Sequence, residues 1–489
     1  MDNIESKQPS EGRVKAITLS KKSIIVAVAV VLVLVITAYV LTFVLPKGEY
    51  ERDANNSIID GTYKENPDLD GITWWQFILS PIMILSSTSD GATIVYVIIA
   101  LMLVIGAIFA VLDESKILIY LIESMSSRFK SRKYLLIFAV SFTFMFLGSA
   151  VGMFEELIPL VPVVVMLSYA MGWDAFVGLG ISILAASCGF AAGVVNPFSV
   201  GVAQTLGGLP LFSGIGPRLL MFALAYIIVS GFIFLYAKRI DKSPQKSAVF
   251  ALDSVRKKEF AFNIDTFERD PQKDKAIRWF ACWMLFVVVC SITAIFWHQL
   301  ADYIMYITVA VYIIGGIGAS LFCGIKGKRL FALLGKGSLS LVPAIVMILI
   351  AGGVRYIVTE GDIMDTILYM SINSIKGQNA NVAVLLIYLV VFVFEVFIQS
   401  GSAKAFLIMP IIFDLCGLVG VHPQVAVLAF TFADGFSNMF LPSNAGLLLI
   451  LGLTTVNYPK WIKWSFAMQA SILAVTIGIL LLAQNVIYA

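Results

Sequence analysis

Apolar residues in this chain come in long runs, not at the spacing of a half-buried strand or a surface helix. The first run, "IIVAVAVVLVLVITAYVLTFVLP" at 24–46, has the roughly 20 residues that a membrane-spanning helix needs. Lys21 and Lys22 precede it. It is too long for a signal-peptide core and no small-x-small cleavage site follows, so it reads as a retained helix. A second run, "ATIVYVIIALMLVIGAIFAVL", covers 92–112. Further helices are expected near 134–148, 175–190, 215–237, 279–297, 302–322, 336–357, 381–399 and 461–486. The stretch 47–73 between the first two runs is polar and acid-rich. Arg128, Lys130, Arg132 and Lys133 follow the second run. The positive-inside rule places the N-terminus in the cytoplasm and 47–73 outside. The longest polar stretch, 238–278, contains "KRIDKSPQKS" and "VRKKEF" and reads as a cytoplasmic linker. The chain thus divides into a cytoplasmic tail (1–23), a first transmembrane repeat (24–237), that linker, and a second repeat (279–489).

The two halves share a pattern that interrupts their apolar runs. One copy is "PVVVMLSYAMGWDAFVGLGISILAASCGFAAGVVNPFSVGVAQTLG", 162–207. The other is "PIIFDLCGLVGVHPQVAVLAFTFADGFSNMFLPSNAGLLLILG", 410–452. Pro162 matches Pro410, Gly172 matches Gly420, Gly189-Phe190 matches Gly435-Phe436, and Pro197 matches Pro442. A lone proline in a span usually marks an ordinary kink. Two matching breaks rich in Ser and Asn point instead to discontinuous helices around a transport site. The broken helices are placed at about 175–206 and 424–452. Before each break lies a charged, small-residue segment, "GSAVGMFEELIPLVP" and "QSGSAKAFLIMP". These read as tips of re-entrant hairpins at about 148–165 and 395–416.

Composition agrees with a polytopic membrane protein. The chain is 59% hydrophobic and 13% charged, against roughly half and a quarter in soluble domains. The five cysteines form no CxxC pair, so neither a disulfide framework nor a zinc site is indicated. His298 and His422 read as interfacial or capping residues. Ionisable residues at membrane depth are more telling: Glu155, Glu156, Glu395 and Asp434, against Arg355 and Lys404. Each costs about 2.5–3.5 kcal/mol at a helix centre, so each should be paired or line a cavity. The surplus of acids suits a cationic ligand or coupling cations. Glu155 and Glu156 point about 100° apart on a helix, so one can face a ligand while the other holds a structural partner. The bland readings are that Lys404 neutralises Asp434 or a glutamate, and that Glu395 meets Arg355 or lies near an interface.

At "EELIPLVP", "GFAAGVVNPFSVGVAQTLGG", "SGSAKAFLIMPI" and "ADGFSNMFLPSNAGLLLILG" the chain resembles the YfcC-type transporters of the C4-dicarboxylate anaerobic carrier-like family, within the ion-transporter superfamily. "VTEGDIMDTILY" and "NYPKWIKW" fit the same family. Lys404 departs from it, standing where a small or amide residue is expected, and "LPSN" replaces a more Thr/Ser-Gly pattern. The resemblance implies an all-α, inverted-repeat, elevator-type carrier of the bacterial plasma membrane. A scaffold domain would mediate homodimer contacts and a transport domain would carry the hairpins and broken helices. It also implies exchange of basic amino acids of the arginine/ornithine type.

On this reading Glu155, Glu156 and Asp434 balance a guanidinium or ammonium. Groups around Asn196, Pro197, Ser199, Ser400, Gly401, Ser402, Lys404, Asn438, Ser443 and Asn444 complete the substrate site. No metal or cofactor is expected, and no nucleic acid; lipids and a small solute are the partners. The absence of a Walker motif agrees with exchange. The alternative is a Na⁺- or H⁺-coupled carrier of C4-dicarboxylates or short-chain fatty acids, with Lys404 and Arg355 meeting the anion. An intramembrane enzyme is disfavoured. "ADGF" at 433–436 is the nearest approach to a catalytic aspartate motif and has no second one to match it.

Overall fold

The structure, a computed structural model, describes residues 21–52, 58–59, 61–86, 90–260, 268–297, 300 and 303–488. Most of the N-terminal tail and His298 lie outside these. The described chain is nearly all helical, apart from a small antiparallel pair, Gly48–Glu49 with Lys64–Glu65, in the acid-rich stretch. That pair is tied to the helix Met364–Ile375 by an Arg52–Asp365 ion pair of 2.9 Å. Among the described residues six helices are long and apolar enough to cross a membrane: Lys133–Val151, Ala175–Leu206, Ile215–Lys242, Gly401–Val419, Pro423–Gly452 and Tyr458–Ile487. Their outward faces stay apolar, as with exposed Leu235, Phe406 and Phe466, which is the surface a lipid solvent selects.

Differences from the expected helices have local causes. The helix foreseen at 336–357 is two, Lys328–Ser340 and Val342–Glu360. Pro343, near the start of the second, has no N–H to continue the first. Trp74–Met83, Ile117–Phe129 and Met364–Ile375 were not foreseen. They are too short or too mixed in polarity to stand out as apolar runs.

The two broken helices lie antiparallel at the centre. Ala175, at the start of the first, donates its N–H to Asp253 at 2.8 Å. Thr455, just past the end of the second, donates its hydroxyl to the same carboxylate. At the opposite ends, Gln204 donates to Gln424 at 3.1 Å. Glycine permits the crossing: a methyl on Gly435 would run into the backbone of Phe190 and Ala191.

Asp253 belongs to the polar stretch 238–278, which is far from featureless. Ile215–Lys242 runs into it, Phe250–Phe260 is a helix within it, and Pro271–Phe296 begins in it. Tyr169 also donates to Asp253, at 2.9 Å, Ser247 donates to Asp174 at 2.6 Å, and Lys460 donates to the Ala248 carbonyl at 2.9 Å. This bridging helix therefore holds the first half and the second half at one end of the crossing. Burial pushes the Asp253 carboxyl up to about 6, because loss of water penalises the charged form.

Two outcomes follow. Gly435→Ala should lower the melting temperature of the purified protein, at a cost of roughly 1–3 kcal/mol for overpacking. Gly231→Ala, where a methyl meets nothing within 4 Å, should not. A carboxyl raised on folding adds stability while protonated and loses it as pH rises from about 4 to about 6. Melting temperature should thus fall over that window in the native chain relative to Asp253→Asn.

Candidate functional site

Each break is built by a glycine or proline and closed by an asparagine. In the first, Gly193 adopts a left-handed conformation (φ 47°) and ends Ala185–Ala192. Asn196 is extended and its Oδ1 accepts from Phe198 N (2.9 Å) and Ser199 N (3.4 Å), capping the helix that restarts at Pro197. In the second, Leu441 is extended, Pro442 has no N–H to offer, and Asn444 Oδ1 accepts from Leu447 N at 2.9 Å. Asn444 Nδ2 donates to Asn438 Oδ1 at 2.7 Å. The structural counterpart of Asn196 is therefore Asn444. Matching Pro197 to Pro442 in the sequence is offset from this register, because the cap and not the proline fixes where each helix restarts.

Groups at the breaks bond to the segments that precede each of them. Val194 N donates to Ser149 Oγ (3.0 Å) and Val195 N to the Ser149 carbonyl (3.3 Å). In the second half Ser443 Oγ reaches the Glu395 carbonyl and Ala445 N reaches Gln399 Oε1, both at 3.5 Å. The first hairpin turn touches both breaks. A Cβ on Gly152 (φ 74°) would sit 2.5 Å from Asn196 Oδ1, and one on Gly446 would sit 3.1 Å from the Phe154 ring. Ser149, Phe154 and Gln399 were not singled out from the sequence. Each lies within or beside a hairpin motif that was, but nothing in a residue's type says that it will receive a released backbone group.

The charges meet here. Lys404 is fully buried on the first turn of Gly401–Val419, a helix capped by Ser400. Its ammonium bonds Asp434 Oδ1 at 2.9 Å, forms an ion pair with Glu395, and lies 5.8 Å from the centre of the Phe430 ring. Both carboxylates are 3% exposed. Gly401 must lack a side chain, since a Cβ would come 2.8 Å from Asp434 Oδ2. Ser402 is half-buried on the same turn. Glu395 thus finds its counter-charge in Lys404; Arg355 is half-buried in Val342–Glu360.

The adjacent glutamates lie on a 3-10 turn, Glu155–Leu160, and not on an α-helix. Glu156 Oε2 accepts from Phe154 N at 3.3 Å, and Tyr312 donates to the Glu156 carbonyl at 3.4 Å. Glu156 therefore holds its own turn together. Glu155 is half-buried and within electrostatic reach of Asp434. Among the buried polar atoms that have no hydrogen-bond partner among the described residues are Asn196 Nδ2, Ser199 Oγ and Asp434 Oδ2. Two donors on one break and one acceptor oxygen beside the other remain for a solute. His422 caps Pro423–Phe440, its Nδ1 accepting from Gln424 N at 3.1 Å. A narrow cleft lined by Pro162, Met166, Tyr169, Arg256 and Thr454 opens beside the bridging helix.

The profile of the C4-dicarboxylate anaerobic carrier family, DcuC, matches residues 24–485. The chain belongs to this family. That is the relationship its motifs point to, and it makes the DcuC-family chain a multi-pass membrane transporter. Among curated relatives, YfcC of Escherichia coli (strain K12), provisionally named a basic amino acid antiporter, is 30% identical over 381 residues, covering 75% of this chain and 73% of its own. A protein of Haemophilus influenzae (strain ATCC 51907 / DSM 11121 / KW20 / Rd), called uncharacterized, is 27% identical over 412 residues, 83% of this chain and 79% of its own. The solved structure of Neisseria gonorrhoeae MtrF, described within a class of antimetabolite efflux pumps, aligns with 94% of this chain and 95% of its own at 15% identity and a TM-score of 0.45.

The ion cluster yields a test by charge removal. Glu395→Gln or Asp434→Asn alone leaves the ammonium one carboxylate. The double substitution strands it, at about 3–5 kcal/mol for a buried charge without a partner. Thermal melts should show the double variant losing more than the sum of the singles, and adding Lys404→Met should restore most of the loss. Additive effects with no such recovery would contradict the pairing.

Proposed function

We propose that this DcuC-family carrier exchanges cationic amino acids, of the arginine and ornithine kind, across the bacterial inner membrane. The observation that carries the reading is the charge balance of the buried cluster. Lys404, the cation in it, is held by Glu395 and Asp434, while Glu155 and the free oxygen of Asp434 remain. A guanidinium or ammonium would meet Glu155 and Asp434 Oδ2. The α-carboxylate would take Asn196 Nδ2 and Ser199 Oγ at a helix N-terminus, which favours negative charge. One zwitterionic, side-chain-cationic solute would satisfy Asn196 Nδ2, Ser199 Oγ and Asp434 Oδ2 together. The name of the relative YfcC supports the same class.

In this account the hairpins and broken helices form a transport domain of inverted repeats with re-entrant tips. It shifts in an elevator-like manner against a scaffold that dimerises. The bridging helix 250–260 lies on the cytoplasmic side, where its basic neighbours belong. A carboxylate carrier coupled to Na⁺ or H⁺ is the competing reading, and it would need a cation in the cluster that is not already paired.

Counterflow in proteoliposomes separates the two. Vesicles preloaded with ornithine should accumulate labelled arginine, succinate should not compete, and Glu155→Gln should reduce exchange at least tenfold. Uptake of succinate, with arginine ignored, would sink the proposal.

A further inference from the structure

We infer that the ammonium of Lys404 is a built-in monovalent cation. It fills a site between Glu395 and Asp434 that would otherwise take a free one such as Na⁺, so transport by this chain needs no dissociable cation there. The inference deepens the proposed function and rests on reading the cluster as the transport site.

The geometry is that of a cation site. Two carboxylates from different segments converge on one point: Glu395 at the turn of the second hairpin, and Asp434 in the middle of Pro423–Phe440. Neither is exposed by more than 3%. The Phe430 ring lies 5.8 Å from the ammonium, within the range at which an aromatic quadrupole attracts a cation. Asp434 Oδ2 keeps unused acceptor capacity, and Glu155 adds negative potential nearby.

A lysine is otherwise poorly placed here. It stands on the first turn of a helix, where the dipole disfavours positive charge, and its ammonium is wholly removed from water. What offsets both costs is the carboxylate pair. Those carboxylates in turn could not both stay ionised side by side without a positive charge between them. The ammonium and a small free cation are thus alternatives for one position, and Lys404 supplies the charge from within the chain.

The test is ligand-induced stabilisation of the purified full chain, with NaCl compared to choline chloride at equal ionic strength. Lys404→Ala should gain several degrees in melting temperature in Na⁺, as specific binding to the native state requires. The native chain and Lys404→Ala/Glu395→Gln/Asp434→Asn should show no difference between the salts. A Na⁺-dependent shift in the native chain, or a folded Lys404→Ala indifferent to Na⁺, would overturn the inference. Should Lys404→Ala not purify as a monodisperse species, Lys404→Gln gives the same comparison. Failure of both to fold even in saturating Na⁺ also overturns it, since a free ion must be able to replace the ammonium. The readout involves no substrate. If counterflow shows carboxylate transport while Lys404→Ala still responds to Na⁺, only the substrate assignment falls.

Discussion

A helix interrupted at membrane depth releases N–H and C=O groups into a region without water, and every one of them needs a protein partner. The placement of the site follows from that constraint. Asn196 and Asn444 cap the restarting helices from within. Ser149 and Gln399 come from the hairpins to take the groups that the caps cannot reach. To do so these segments must lie against the breaks, and Glu395, in the second of them, meets Lys404 beside Asp434. Glycine makes the approach close enough, at 435 against Ala191 and at 401 against Asp434.

Electrostatics then decides what the site can hold. A buried charge is tolerable only if paired, and Lys404 is paired twice while one oxygen of Asp434 is left over. The unpartnered donors lie on the first break and the unpartnered acceptor beside the second. On the proposed reading, a solute carrying both charges complements these groups. The bridging helix adds a separate constraint at one end of the crossing. Asp253 takes donors from both halves, so the polar stretch between them is part of the packed structure.

Much of this was legible in the chain, and the reason differs by element. The broken helices stood out because Asn, Ser, Pro and charge are costly inside apolar runs, so their presence carries information. That Lys404 neutralises Asp434 or a glutamate was legible from the need to pair a buried charge; that Glu395 and Asp434 meet it together was not, because the spacing of 395, 404 and 434 does not reveal which turns converge. Neither was the role of Asp253: a charged residue in a polar stretch looks solvated until the fold buries it. The register between the breaks was misread at Pro442, since proline identity is visible in sequence and capping geometry is not.

The most direct measurement is calorimetric binding to the purified protein, with arginine and succinate titrated separately into the native chain and into Glu155→Gln. The account requires arginine to bind the native chain, to lose most of that affinity in Glu155→Gln, and succinate to give no heat of binding. Succinate binding undiminished by the substitution, with arginine inert, would contradict it.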